Sequence, residues 1–357
     1  MPSRVTVFDH FGTPIAELKT TTARSWVLDG IGRCTFPLAS FTDVNCSRNI
    51  LQYGNFLLIE HIPTIDAAGN VRGTLPAWVG IILPPQQWDY GRLTVTAYSA
   101  EALLSFRPMP YVNAAGSAGT IFAAMLRYAN AIGGFPLVPG AIYPFSESAS
   151  VPLRLSMYEE AQNLSKIFAQ DFDVLPSRSV SNQLILTANW YQQKGVAVNA
   201  VFAEGYLGNM KLPSLTEQGS LSNYVNGYNI ASSNGTRISV NVQDQASQGD
   251  YGVLGSNINL SAGSLAGVTT GATNALYNAS RPTTTLELTA LDSGSTFAWL
   301  TVGNVWNVVL NSVGFYGGGI GFRGAVRLTG VEYDDWTNEA RLTTEVLTGS
   351  LTRDNYA

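Results

Sequence analysis

Leu51-Gln-Tyr-Gly54-Asn55-Phe-Leu-Leu-Ile-Glu-His61, followed by Ala77-Trp78-Val-Gly80-Ile-Ile-Leu83 and Arg92-Leu-Thr-Val-Thr-Ala-Tyr98, decides the reading of this chain. The first piece is a turn running into a strand, the second a short apolar strand, and the third alternates strictly between two faces. The same pattern returns as Leu300-Thr-Val-Gly303-Asn304-Val-Trp-Asn-Val-Val-Leu310, Gly324-Ala-Val-Arg-Leu-Thr-Gly330 and Ala340-Arg341-Leu-Thr-Thr-Glu-Val346. Gly54 precedes Arg92 by 38 positions, and Gly303 precedes Arg341 by the same 38. Trp88 and Trp336 each stand shortly before the last strand, and Gly80 and Gly330 each close the middle one. Two β-units of one design therefore bracket the chain, a duplication that specifies architecture more than chemistry.

Outward from these units the fold class reads as α+β, mainly β, in four parts. Residues 1–107 form a first β-domain. In it, Arg4 to Asp9 and Gly12 to Leu18 predict a hairpin about His10-Phe11-Gly12, and Cys34, Phe36 and Leu38 alternate with Arg33 and Thr35. Ser99 is placed to cap a short helix, Ala100 to Phe106, that Pro108 stops. Residues 108–200 read as an α+β insert. Ser117 precedes a helix with Ile121, Met125, Tyr128 and Ile132 on one face, and a Pro-rich linker runs from Pro136 to Pro152. Ser156-Met-Tyr-Glu159 is a capping box opening a second helix, after which Phe172 to Leu175 and Gln183 to Trp190 are strands. Residues 201–282 hold a β-hairpin around Asn234-Gly235 and a linking helix through Leu265, Val268, Ala272 and Leu276, weakened by its glycines. Residues 283–357 hold the second β-unit.

Composition narrows the function. The 357 residues are 45 % hydrophobic, enough for a sizeable core, but only 13 % charged. Obligate interfaces disfavour charge at their centre, so this balance suits a surface largely covered by neighbouring subunits. Net charge is −5 and no basic cluster occurs, which argues against nucleic acid as a partner. There is neither a signal peptide nor an apolar run of membrane-spanning length, so the sequence predicts a soluble chain made in the cytoplasm, without stable membrane insertion. The two cysteines, Cys34 and Cys46, fit isolated thiols in a reducing compartment better than a bridge.

With these residues in hand, the order of parts resembles the hub protein at the tip of bacteriophage tails, the baseplate hub and tail-associated protein family. Ala23 through Trp26 and Gly30 to Leu38 look like its opening strand pair, and Tyr53-Gly54-Asn55 through Leu104 like its first barrel. Asp244 through Ser247 to Tyr251-Gly252 looks like the segment before its last helix, and Leu300 to Val346 like its closing barrel. The resemblance implies two tail-tube-like β-barrel or sandwich domains at the chain ends. It implies a homotrimer whose six such domains match the sixfold tail tube to a threefold tip. Implied partners are tail tube or distal tail proteins, a central fibre or spike and the tape measure protein, with the virion tail tip as location. The family often carries an acidic residue where Asn55 and Asn304 stand, so nothing that depends on that charge carries over. The excursions His61 to Thr74 and Asn311 to Arg323 fall at equivalent places in the two copies. They are read as inter-ring docking loops, with Ile65, Asn70, Arg72, Tyr316, Ile320 and Arg323 as contact residues.

Catalysis has little to stand on. His10 and His61 are the only histidines, and their neighbours Asp9 and Glu60 point to opposite faces of a strand. Glu159 and Glu160 diverge by about 100° on a helix, and Gly317 to Gly321 lacks the Lys-Ser/Thr of a phosphate loop. No Cys/His spacing fits zinc and no Asp/Asn run fits calcium; neither enzyme activity, a metal nor a cofactor is expected. Trp78, Trp88, Trp306 and Trp336 lie in the repeated units and read as core or subunit interface. The alternative is a receptor- or glycan-binding tail protein using exposed aromatics; a cell-wall hydrolase is the third reading.

Overall fold

The computed structural model describes residues 3–39, 49–62, 73–89, 92–143, 149–204, 209–218, 221–229, 237–260, 264–280, 283–291, 296–316 and 319–347. The chain begins with β1 (Ser3–Phe8), β2 (Pro14–Leu18), β3 (Ala23–Val27), β4 (Arg33–Ala39), β5 (Phe56–His61), β6 (Trp78–Ile82), β7 (Gln87–Asp89), β8 (Arg92–Ser99) and the one-turn α1 (Ala102–Ser105). The insert follows as β9 (Val112–Gly116), α2 (Ala118–Ile132), β10 (Leu137–Ile142), β11 (Ala149–Leu153), α3 (Met157–Phe168), β12 (Asp171–Arg178) and β13 (Leu184–Tyr191). Next come β14 (Ala197–Ala203), β15 (Met210–Gln218), β16 (Tyr224–Asn229), β17 (Ile238–Gln243), α4 (Gln245–Tyr251), β18 (Gly255–Asn259) and α5 (Leu265–Ala279). The last elements are β19 (Thr283–Leu291), a 3-10 turn at Thr296–Trp299, β20 (Val305–Tyr316), β21 (Gly319–Asp334) and β22 (Glu339–Val346).

Mainly β is what the strands build, but the two β-units are not separate sheets. Fourteen strands form one open sheet in the order β15-β19-β22-β21-β3-β4-β8-β6-β5-β1-β2, with β20 pairing β21 and β14, and β7 pairing β8. Among the described residues the sheet does not close into a barrel. The join is β21, whose 16 residues serve two neighbours in turn. Val305 to Leu310 of β20 pair with Arg327 to Phe322, and beyond a bulge between Leu328 and Gly330, β3 takes over the pairing from Gly330 to Asp334.

The period-2 alternation of β5 explains how the insert seats itself. Leu57 and Ile59 enter one core with Val5, Phe36 and Trp78. Phe56 and Leu58, on the opposite face, enter a second core with Phe122, Leu126 and Leu164 of α2 and α3. The second β-unit has its own core, in which Phe202 stacks on Trp306 with centroids 4.0 Å apart.

Local signals set the helices. The Ser117 hydroxyl accepts the Thr120 amide at 3.2 Å, and α2 buries Ile121, Phe122, Met125, Leu126 and Ala129. Tyr128 and Ile132, expected on that face, are exposed, because the buried stripe includes the i+1 positions Phe122 and Leu126. Both halves of the capping box form at α3, Glu159 N–H to Ser156 Oγ at 3.3 Å and Ser156 N–H to Glu159 Oε2 at 3.1 Å. At α1 the expectation fails. Ser99 ends β8 and its hydroxyl accepts Gly32 N–H at 2.8 Å, leaving Glu101 at the N-cap. The Pro-rich linker is also not a linker: β10, with Pro139, pairs with β13, and β11, with Pro152, pairs with β9. Each lies at a sheet edge, where a missing N–H is tolerated. The hairpin of β16 and β17 forms as expected, with residues 230–236 at its tip outside the described residues.

Candidate interface elements

The repeated Gly-Asn pairs are one turn built twice. Gly54 and Gly303 have φ of +94° and +96°, a region that glycine enters without steric cost. Gly54 N–H donates to Ile82 O at 3.0 Å and Gly303 N–H to Leu328 O at 2.7 Å. In return Ile82 N–H reaches Asn55 O at 2.8 Å and Leu328 N–H reaches Asn304 O at 2.9 Å. Gly80 and Gly330 are not a matching pair: Gly80 stands opposite Leu57 inside β6, whereas Gly330 lies past the β20 ladder, beside the bulge.

Asn55 and Asn304 are buried and spend their side chains on backbone. Asn55 Nδ2 donates to the carbonyls of Asn49 and Ile50 at 2.9 and 3.0 Å, and Asn304 Nδ2 to that of Trp299 at 2.9 Å. Asn304 Oδ1 also accepts Val196 N–H at 2.9 Å, fastening the segment that leaves the insert. There Gly195, at φ +95°, lies so close that a Cβ on it would stand 2.2 Å from the carbonyl carbon of Gly303. A neutral amide, donor and acceptor at once, does what a carboxylate could not.

Of the expected docking residues, Ile65, Asn70 and Arg72 lie outside the described residues. Tyr316, Ile320 and Arg323 belong to one two-stranded extension: Phe315 pairs with Ile320, and Tyr316 with Gly319. The Asn311 to Arg323 excursion is therefore a β-ribbon rather than an irregular loop, with residues 317–318 at its tip outside the described residues. At its root the Glu204 carboxylate accepts Asn311 N–H at 2.8 Å and Ser312 N–H at 3.0 Å, at the bulge where β20 loses register with β21. Hydrogen bonds from the Ser312 side chain, then the Asn311 amide, hold the Glu204 carboxyl below the usual glutamate range. Arg323 is exposed opposite Val309.

A buried ion pair joins the two β-units. Arg24 Nη1 lies 3.1 Å from Asp335 Oδ1, and that carboxylate also accepts Ser3 Oγ, Thr22 N–H and Thr22 Oγ1 at 2.7 to 2.9 Å. The guanidinium sits 4.8 Å from the Tyr333 ring centroid. His61 packs edge-on against Phe297 and Tyr333, and its neighbour Glu60 pairs instead with Arg178 at 2.7 Å. Asp9 accepts the Phe11 and Thr13 amides within its turn, and buried Glu160 accepts those of Arg154 and Leu155. Each acid neighbouring a histidine or another acid is thus occupied structurally. Among the described residues no group of three or more His, Cys, Asp or Glu is placed to hold a metal ion.

The tryptophans divide. Trp78, Trp190 and Trp306 are fully buried, whereas Trp88 is 59 % and Trp336 83 % exposed. For those two the core role is excluded.

No family model matches the sequence, and no curated protein does. Solved structures do match over nearly the whole chain. A prophage tail protein from Listeria monocytogenes aligns with a TM-score of 0.57 at 12 % identity, covering 98 % of this chain and 95 % of its own. The tail protein from Neisseria meningitidis gives 0.58 at 13 %, covering 100 % of both chains. A type VI secretion component from E. coli, described as structurally similar to the T4 bacteriophage tail proteins gp27 and gp5, gives 0.50 at 13 %, covering 93 % of this chain and 76 % of its own. The chain has the mainly-β fold of phage tail hub-like proteins.

Proposed function

We propose that this chain is a structural tail protein that trimerises into a hub at the distal end of a phage-type tail. The observation that carries the reading is the duplicated turn and strand set, two copies of one β-unit fused through β21. A ring of three such chains offers six similar faces to a sixfold tube and three to a fibre or spike. Each unit plays the part of one tube subunit, residues 1–107 and 283–357 contributing most of the two units and the inserts packing around them. The role is non-enzymatic and rests on interface area, with the β20–β21 ribbon reaching the next ring and the tape measure protein and spike as further partners. Sparse charge and the exposed Trp88 and Trp336 support a surface that is covered on assembly.

Single-particle imaging of the purified chain, alone and with its tube protein, tests this. Three chains with six β-lobes are expected. Six chains in one ring, or a monomer that stays monomeric with the tube protein present, would overturn it.

A further inference from the structure

We propose that Asp29 is a proton-operated latch between the first β-unit and the α+β insert. Asp29 lies in the turn between β3 and β4, at φ +51°, and its side chain crosses to the insert. Oδ1 accepts Phe172 N–H of β12 at 2.7 Å, and Oδ2 accepts the Ser165 hydroxyl of α3 at 2.8 Å. Gln162 Nε2 adds a bond to the Asp29 carbonyl at 3.2 Å. This one residue therefore ties the turn to two elements of the insert.

The charges around it do not balance. From β12 the Asp171 carboxyl faces Asp29, with Asp173 two residues on; from the start of α1 comes Glu101, which accepts Val174 N–H at 3.1 Å. The cations are Arg327 of β21, paired with Asp171, and Lys194, 2.8 Å from Asp173. From α3 the Tyr158 hydroxyl completes the neighbours. Arg327 is taken by Asp171 and Lys194 by Asp173, and neither cation pairs with Asp29. Asp171 cannot withdraw, because Arg327 and the Lys194 amide at 2.6 Å both hold it.

Burial, then the facing Asp171, push the Asp29 carboxyl up to about 7, against the lowering effect of the Phe172 and Ser165 bonds. The folded value stands above the unfolded one, so the stabilising effect of the protonated group is complete in acid and is lost as pH rises toward and through about 7. Below neutrality the turn and the insert are clasped. Above it two carboxylates oppose each other and the movable one, on the turn, slackens. This proposal stands apart from the tail reading, since it concerns only the joint.

The test is amide hydrogen exchange on the full chain from pH 6 to 8.5, corrected for the intrinsic rate. Protection of peptides covering Ser165 to Val174 is expected to fall about tenfold across this range, with β22 unchanged. In Asp29→Asn, which keeps an uncharged acceptor, the profile is expected to be flat. A flat wild-type profile, or a D29N profile as steep as the wild type, would overturn the latch. Carbon-13 carboxyl titration of aspartate-labelled wild-type protein stands independently of whether D29N folds. One aspartate titrating near neutrality is expected, and every aspartate titrating below pH 5 would overturn the proposal.

Discussion

Arg24 and Asp335 are 311 residues apart in sequence and 3.1 Å apart in the folded chain, with side chains 0 % and 1 % exposed. The pair sits where β3 of the first unit meets β21 of the second. Removing one member leaves the other charge buried and uncompensated. Asp335→Ala should therefore cost about 3–5 kcal/mol in chemical denaturation, and the paired replacement Arg24→Met with Asp335→Leu markedly less. Equal losses in the two variants would mean that the surrounding hydroxyl bonds, not the charges, hold the joint.

The two glycine turns should respond unequally. At Gly54 no described atom lies within 4 Å of where a Cβ would stand, so alanine there meets only the backbone penalty of about 1–3 kcal/mol. At Gly303 the Cβ would also stand 2.5 Å from the Lys194 carbonyl oxygen, so Gly303→Ala should lower the melting temperature further than Gly54→Ala.

Glu204 makes the ribbon acid-sensitive. Its carboxyl is held low by the Ser312 side chain and then by the Asn311 amide, so its contribution is present above the unfolded value and is lost as pH falls through the depressed folded value. Exchange protection at Asn311 and Ser312 should drop in acid, and Glu204→Gln should weaken both amides at all pH while removing the dependence.

Cys34 is a free thiol, fully buried, and burial pushes it up to about 12. In a Cys46→Ser background, thiol reagents at pH 8 should label the folded chain only as fast as it opens, and the unfolded chain at once. Rapid labelling of the native protein would contradict that burial.

Trp336→Ala should leave the stability of the single chain within about 0.5 kcal/mol, since the ring is exposed. Under the proposed assembly it should weaken trimer formation in sedimentation. A loss of glycan binding with intact trimers would move the residue to the receptor-binding reading.

Much of this fold is legible in the sequence. Strict alternation announces β4 and β8, the Ser156/Glu159 spacing announces α3, and the recurrence of Gly-Asn announces the duplicated turn. What stays hidden is held by partners far apart in the chain. Nothing near Glu204 signals Asn311, 107 residues on, and nothing near Arg24 signals Asp335. β10 and β11 are masked by their prolines, whose meaning depends on edge position, and α4 has a polar sequence with only Asp244 accepting Ser247 N–H to announce it. Asn55 and Asn304 are visible in the sequence as a recurring Gly-Asn pair; their bonds to carbonyls require the fold.

The shared strand β21 has a mechanical meaning. At about 3.3 Å per residue, its 16 residues reach roughly 50 Å, and the two β-units meet along it through the antiparallel ladder of Gly330 to Asp334 with β3. Tension applied along that direction loads its ladders in shear, many hydrogen bonds at once. Pulling across the ladders would instead part the bonds one after another. A protein standing in a line of force would gain from the first orientation, and the fold provides it without any extra element.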